Sequence, residues 1–312
     1  MSDRPKRVTI IEEGPREGFQ SEPAGISTSA KIGLIEDLAL TGLCQIACCS
    51  FVNPQRLPQM ADAEAIAAAI RRRDGTRYTG LWLNLRGLER ALRTPLDFEG
   101  FLVASASETF GLRNNGRDRE GLLVEQLRMA EAYGAAGIRP GPAYVFTAFG
   151  CNYEGAVPME NVLRAAAPLV DICQHAGNGA PVLYLCDTVG HANPDSVTRT
   201  VAAVRDRWPY VQVALHLHDT RGLGLANALA GLNVGVTRFD SSIGGLGGCP
   251  FAGNRAAAGN ISTEDLAFMC EEMGIESGLD LDALVACAQS AEAIVGHPLP
   301  GRMMRAGRPK RQ

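Results

Sequence analysis

Eight short β-prone runs recur along the chain, each followed by a segment whose apolar residues have helical spacing, and that rhythm leaves few architectures open. The strand patterns lie at residues 8–13, 44–51, 79–85, 101–105, 143–148, 182–186, 211–218 and 238–243. Helical patterns fall at 28–40, 61–72, 88–92, 120–133, 159–175, 194–207, 223–234 and 263–273, and a last one at 282–295. The first of them carries Ile32, Leu34, Ile35, Leu38 and Leu40, which suits one buried helix face. For 312 residues the economical solution is an α/β fold, a single (β/α)8 TIM barrel over residues 8–300 with an extra C-terminal helix. Residues 1–7 read as a mobile start and 301–312 as a basic tail. A doubly wound open sheet is the competing architecture, but no Gly-x-Gly-x-x-Gly turn follows the first strand.

Within this frame the run Val211-Gln-Val-Ala-Leu-His-Leu-His-Asp219 holds the most chemical information. Val211, Val213 and Leu215 set a period of two, so His216 and His218 point to the same side of an extended segment. Two imidazoles then converge at the carboxyl end of a strand, where parallel α/β folds bind ligands. A single histidine is more often satisfied by local hydrogen bonds. Two on one face beside Asp219, in a chain with only five histidines, favour a metal site.

Composition excludes other classes. A net charge of -4 and a pI near 5.8 argue against a nucleic-acid partner. No apolar run approaches the roughly 20 residues of a membrane span, and no signal-peptide core follows the N-terminus, so a cytoplasmic location is expected. The nine dispersed cysteines read as reduced and mostly buried thiols.

A barrel places its chemistry at the carboxyl ends of its strands. There the sequence offers Arg16 and Glu17 after the first strand, Asn84 after the third, Ser105 and Ser107 after the fourth, Tyr144 near the fifth, and Asp187 after the sixth. The eighth runs into Gly244-Gly-Leu-Gly-Gly-Cys-Pro-Phe251, where a flexible turn or a phosphate cradle is the plain reading. Cys249 at its tip suits an acid/base role better than core packing.

Together, Gly14-Pro-Arg-Glu-Gly-Phe-Gln20, Ser50-Phe-Val-Asn-Pro54 with Pro58-Gln-Met-Ala-Asp62, Ala106-Ser-Glu108, His216-Leu-His-Asp-Thr220, the Cys249 loop and Gly259-Asn-Ile-Ser-Thr-Glu-Asp265 form a recognisable set. The chain resembles the 3-hydroxy-3-methylglutaryl-CoA lyases, within the metal-dependent TIM-barrel lyases and synthases that include isopropylmalate and homocitrate synthases. That resemblance implies a divalent-metal-dependent carbon-carbon lyase acting on an acyl-CoA, with a homodimeric assembly. It implies that Glu17, His216, His218 and Asn260 hold Mg²⁺ or Mn²⁺. Arg16 would stabilise the developing enolate, Cys249 would exchange a proton, and Asp187 or His216 would take the hydroxyl proton. Asn84, Ser107 and Tyr144 match positions lining the pocket.

The chain also departs from the family pattern. Glu17 stands where the lyases carry aspartate, Ala47 where they carry glutamate, and the loop between Cys249 and Asn260 is longer, with Asn254 and Arg255 near its tip. Arg221 adds a cation where a neutral residue is usual; it is expected to bind substrate, with a solvent-facing side chain or a pairing with a phosphate of CoA as the equal alternative. Less negative and more positive charge favours a shorter substrate such as citramalyl-CoA, yielding acetyl-CoA and pyruvate, as a rival to the methylglutaryl ester. An acetyl-CoA/2-oxo acid condensing enzyme and a non-catalytic binding barrel are further alternatives. A Schiff-base aldolase needs a lysine at a strand's carboxyl end, and Lys6, Lys31 and Lys310 do not qualify.

Overall fold

The computed structural model describes residues 4–23, 25–177, 181–247 and 258–309. The strands are β1 (Thr9–Glu12), β2 (Gln45–Ser50), β3 (Arg77–Leu81), β4 (Gly100–Ser105), β5 (Pro140–Phe146), β6 (Val182–Cys186), β7 (Gln212–His216) and β8 (Arg238–Ser241). The principal helices are α1 (Thr28–Ala39), α2 (Ala63–Ala69), α3 (Leu85–Ala91), α4 (Glu108–Asn115), α5 (Arg119–Ala135), α6 (Met159–His175), α7 (Pro194–Arg207), α8 (Gly224–Asn233), α9 (Thr263–Glu272), α10 (Leu281–Val295) and α11 (Met303–Ala306). All eight expected strands form, and three of the expected elements, α6, β6 and α7, have the limits read from periodicity. The separate helix α4 had no periodic signal. No helix among the described residues is long and apolar enough to cross a membrane.

The chain divides into two compact units. The first comprises Lys6–Asp97 with Phe239–Gln312, and the second Met1–Pro5 with Phe98–Arg238. In the first, strands lie in the order β3-β2-β1-β8. The ladder between β2 and β3 is parallel and slips between Ala47 and Cys49, a bulge by which both Cys48 and Cys49 become buried. Burial pushes both thiols well up from their usual pKa, which makes them inert packing groups. Helix α1 starts where the Ser27 hydroxyl accepts the Ala30 N–H at 3.2 Å. It buries Leu34, Ile35 and Leu38 and ends before Gly42, whose φ of 92° breaks the helix. Leu40, expected on the buried face, is 60% exposed because it falls past the last turn.

Both ends of the first unit are tied down. Val8 N–H donates to Glu276 O and Glu276 N–H to Lys6 O, each at 2.9 Å, so residues 6–8 pair with a loop. In the stretch read as a tail, α11 buries Met303 and Met304, and the Asp265 carboxylate accepts the N–H groups of Arg302 and Met303.

The second unit orders its strands β7-β6-β5-β4, all parallel. Ladder partners share a face, so Tyr144 lies beside Tyr184 and Ala214, and Cys186 beside His216. The alternate residues Ala143, Val145, Leu183, Leu185, Val213 and Leu215 are buried at 2% exposure or less, as a strand covered on both faces requires. Each large apolar side chain so buried contributes roughly 1.5–3 kcal/mol.

Lys31, one of the three lysines, is buried on α1. Its Nζ donates to Asp62 Oδ1 at 2.9 Å and to Gln59 O at 2.6 Å, and Thr28 Oγ1 donates to Asp62 Oδ2 at 2.9 Å. The pair pins the motif Pro58-Gln-Met-Ala-Asp62 onto α1. Replacing Lys31 by Met leaves Asp62 uncompensated, and chemical denaturation should register a loss of about 3 kcal/mol. A loss below about 0.5 kcal/mol would show the pair to be solvent-screened.

Candidate active site

In the first unit the chain leaves β1 through Gly14–Gly18, a single wide π-type turn closed by the Phe19 N–H donating to Gly14 O. Such turns carry an extra residue outward, here the Arg16-Glu17 pair. Arg16 forms ion pairs with Glu13 through Nη2 and with Glu17 Oε2 through Nη1, the latter at 2.8 Å. Glu17 Oε1 accepts the Asn260 Nδ2 proton at 3.1 Å. That bond turns Asn260 so that its Oδ1, buried and without a hydrogen bond, remains a bare oxygen donor. Arg16, Glu17 and Asn260 therefore meet, as the resemblance implied. Asn84 does not join them: it is exposed, and its Oδ1 caps α3 by accepting the Gly87 N–H at 2.9 Å.

Sequence reading missed the carboxylates behind this cluster. Glu12 is fully buried. Its Oε1 accepts N–H groups of Gly14 at 2.7 Å and Ile243 at 2.8 Å, while Oε2 accepts the Thr263 hydroxyl at 2.6 Å. Burial raises its pKa to about 8 against those bonds. Glu264 accepts the Gly244 N–H at 3.0 Å, and burial raises it to about 7. A Cβ on Gly14 would lie 2.6 Å from Glu12 Oε1, so only glycine lets the turn close over that carboxylate. The available signal was an acid ending an all-buried strand.

In the second unit β7 ends at His216, two residues short of the expected limit, because its ladder partner β6 ends at Cys186. The backbone nonetheless stays open enough for His218 to come round. Both imidazoles are buried, and their Nε2 atoms are 3.2 Å apart. Two ring nitrogens at that separation are suited to a shared divalent cation.

Asp187 follows β6 and donates its N–H to His216 O at 2.8 Å. Its Oδ1 accepts the N–H groups of His191 at 2.7 Å and Ala192 at 3.0 Å, whereas Oδ2 is buried and makes no hydrogen bond. Burial raises its pKa, with His218, the two N–H groups and Arg221 pulling the other way. The result is a carboxylate more basic than usual with one oxygen facing no donor.

Three other expected residues have well-defined surroundings. Tyr144 stacks on Tyr184, with centroids 4.4 Å apart and planes at 15°, and Arg238 Nε donates to the Tyr184 hydroxyl at 2.5 Å. Ser107 caps α4, its Oγ accepting from Phe110 N at 3.1 Å and from Cys151 Sγ at 3.1 Å. Arg221 is exposed, and its Nη1 donates to Val189 O at 2.8 Å and Gly190 O at 2.7 Å, clamping the loop that carries Asp187. Cys249, with Asn254 and Arg255, lies outside the described residues.

Thr147, which no pattern flagged, is the only non-glycine with positive φ among the described residues, at 55°. For a β-branched residue that conformation is strained. It is held because Thr147 N–H donates to Thr188 Oγ1 at 2.8 Å and Thr147 Oγ1 accepts from Ser107 N at 3.0 Å, joining the ends of β4, β5 and β6.

Comparison with known proteins agrees with these features. The chain matches the HMGL-like family over residues 7–290. It is 42% identical over 300 residues to a hydroxymethylglutaryl-CoA lyase of Bacillus subtilis, covering 96% of each chain. It is 39% identical over 310 residues to an (R)-citramalyl-CoA lyase of Chloroflexus aurantiacus, covering 96% of this chain and 95% of that one. A solved HMG-CoA lyase from Acinetobacter baumannii, in complex with coenzyme A and 3-methylmalate, superimposes with a TM-score of 0.86 at 39% identity, covering 97% and 96% of the two chains. The eight parallel strands with their helices thus define an α/β chain of the (β/α)8 TIM-barrel class. The open carboxylate of Asp187 and the paired imidazoles sit where that class keeps its chemistry. The protein belongs to the HMGL-like family and is a carbon-carbon lyase.

The buried carboxylate of Glu12 has a measurable signature. Its folded pKa of about 8 stands above the ordinary carboxylate value of 4.5, so its contribution to stability is complete below about 4.5 and is lost as pH rises through about 8. Glu264 acts in the same direction up to about 7. The melting temperature should therefore fall from pH 5 to 8.5, and Glu12→Gln should flatten the upper part of that slope. An unchanged slope in the variant would mean that Glu12 is ionised in the folded protein.

Proposed function

We propose that this lyase cleaves 3-hydroxy-3-methylglutaryl-CoA between its second and third carbons, releasing acetyl-CoA and acetoacetate. The observation that carries the reading is Asp187, a buried carboxylate of raised basicity whose Oδ2 has no hydrogen-bond donor, next to His216. A tertiary alcohol must lose its proton before the bond can break, and such a carboxylate is a competent base. Glu17, His216, His218 and Asn260 are assigned to one Mg²⁺ or Mn²⁺. Mixed nitrogen and oxygen donors, one of them the bare Asn260 Oδ1, suit such ions better than a structural zinc site. When bound, the cation supplies Lewis-acid polarisation of the substrate's hydroxyl and carboxylate.

In this reading Asp187 takes the hydroxyl proton, with His216 the other candidate base. The carbon-carbon bond then breaks and its electron pair passes to the thioester as an enolate. Arg16, oriented by Glu13 and Glu17, faces the thioester oxygen where that charge grows. Cys249 gives its thiol proton to the enolate carbon, which completes acetyl-CoA. Ser107 and Tyr144 line the acyl-CoA pocket, while Asn84 serves as a helix cap. A homodimer in the cytosol completes the assignment, in keeping with the family and with the free cysteines.

Exhaustive chelation should abolish turnover, and Mg²⁺ or Mn²⁺ should restore it. His218→Ala should lose both cation binding by calorimetry and activity. Full activity after chelation would remove the cation from the reading.

One observation favours a second substrate. Ala47 is buried on β2 and brings no carboxylate where the family pattern has one, which leaves room for citramalyl-CoA. Arg221 lends this no support, since the Val189 and Gly190 carbonyls hold its guanidinium. Comparing kcat/KM for the two esters should show at least a tenfold preference for the methylglutaryl ester. Arg221→Gln should lower kcat for both while leaving their ratio unchanged. A citramalyl-CoA preference in the unaltered protein would overturn the assignment, and a changed ratio would make Arg221 a reader of substrate.

A further inference from the structure

The second unit carries a partly open cavity of about 300 Å³ bounded by β4, α4, α5 and α6. Its walls are mainly apolar, with Val103, Ala104, Leu122, Leu123, Ala165 and Leu169 the principal contributors. Arg117, Arg119 and Arg164 also line it. Two of these are engaged: Arg117 lies 3.4 Å from Glu125, and Arg164 lies 2.6 Å from Glu160. Arg119 differs, because its Nε is shut off from solvent and makes no hydrogen bond.

The acids nearby do not satisfy that nitrogen. Asp118 spends Oδ1 on the Gly121 N–H at 2.8 Å, capping α5. Glu154, which feels the charge of Arg119, gives Oε1 to the Thr109 N–H at 2.7 Å. Glu108 and Glu120 are exposed. Arg119 as a whole is half-buried, but its Nε–H, inaccessible and beside an apolar volume, lacks an anionic acceptor with an apolar body behind it.

We propose that this cavity binds a free medium-chain carboxylate, its chain among the apolar wall residues and its carboxylate on Arg119 Nε. A dry cavity of about 150 Å³ admits benzene, so one of this size takes about ten non-hydrogen atoms, the size of octanoate. Ser107 borders this cavity as well as the proposed acyl-CoA pocket, so competition with coenzyme A is the control that separates the two.

Calorimetry and thermal shift on the full chain, with octanoate as the probe, test it. The unaltered protein should bind octanoate saturably with a rise in melting temperature, and coenzyme A should not compete. Arg119→Gln should weaken octanoate roughly ten- to a hundredfold while neutral octanol binds both proteins alike. Ala165→Phe, which fills the cavity, should lose both probes while keeping its circular dichroism spectrum. If that variant fails to fold, the comparison of octanoate with octanol in Arg119→Gln decides alone. Absence of saturable binding, equal octanoate affinity in Arg119→Gln, or displacement by coenzyme A would each overturn the proposal.

Discussion

Buried carboxylates that accept backbone N–H groups hold the loops at the strand ends. Where a strand ends inside the protein, the next few amide protons have lost their ladder partners and cannot reach water, at a cost of about 1–3 kcal/mol each if left bare. Glu12 takes those of Gly14 and Ile243, Asp187 those of His191 and Ala192, Glu264 that of Gly244, and Asp265 those of Arg302 and Met303. The same burial that makes them effective acceptors makes their ionisation costly, which is why Glu12, Glu264 and Asp187 are all raised.

This sorts the acids by role. Glu12 has every oxygen engaged by donors on three segments and is a structural clasp beneath the Arg16-Glu17 turn. Asp187 commits Oδ1 to the loop and keeps Oδ2 bare, so its second oxygen is left over from the clasp. Arg221 strengthens the clasp from outside by gripping the Val189 and Gly190 carbonyls. Its Nη1 is anchored two to three residues from Asp187.

The strained Thr147 belongs to the same economy of strand ends. Its positive φ costs on the order of 1–3 kcal/mol, offset by bonds to Ser107 and Thr188 that unite three consecutive strand ends. Ser107 in turn is fixed as a helix cap. Ser107 thus fastens neighbouring strand ends to one another.

The sequence by itself determined the eight strands, most of the helices and the convergence of His216 with His218, because these rest on periods of 2 and 3.6 that any chain must obey. The motifs also sufficed to name the family, whose model matches residues 7–290. Only tertiary structure decided that Asn84 caps a helix, that Arg221 clamps a loop, that Glu13 pairs with Arg16, that Glu12 and Glu264 hold loop N–H groups, and that Thr147 ties strand ends together. Periodicity shows which side of an element a residue takes. Whether a polar group meets an N–H, a carbonyl or nothing depends on segments as far apart as the 231 positions between Glu12 and Ile243.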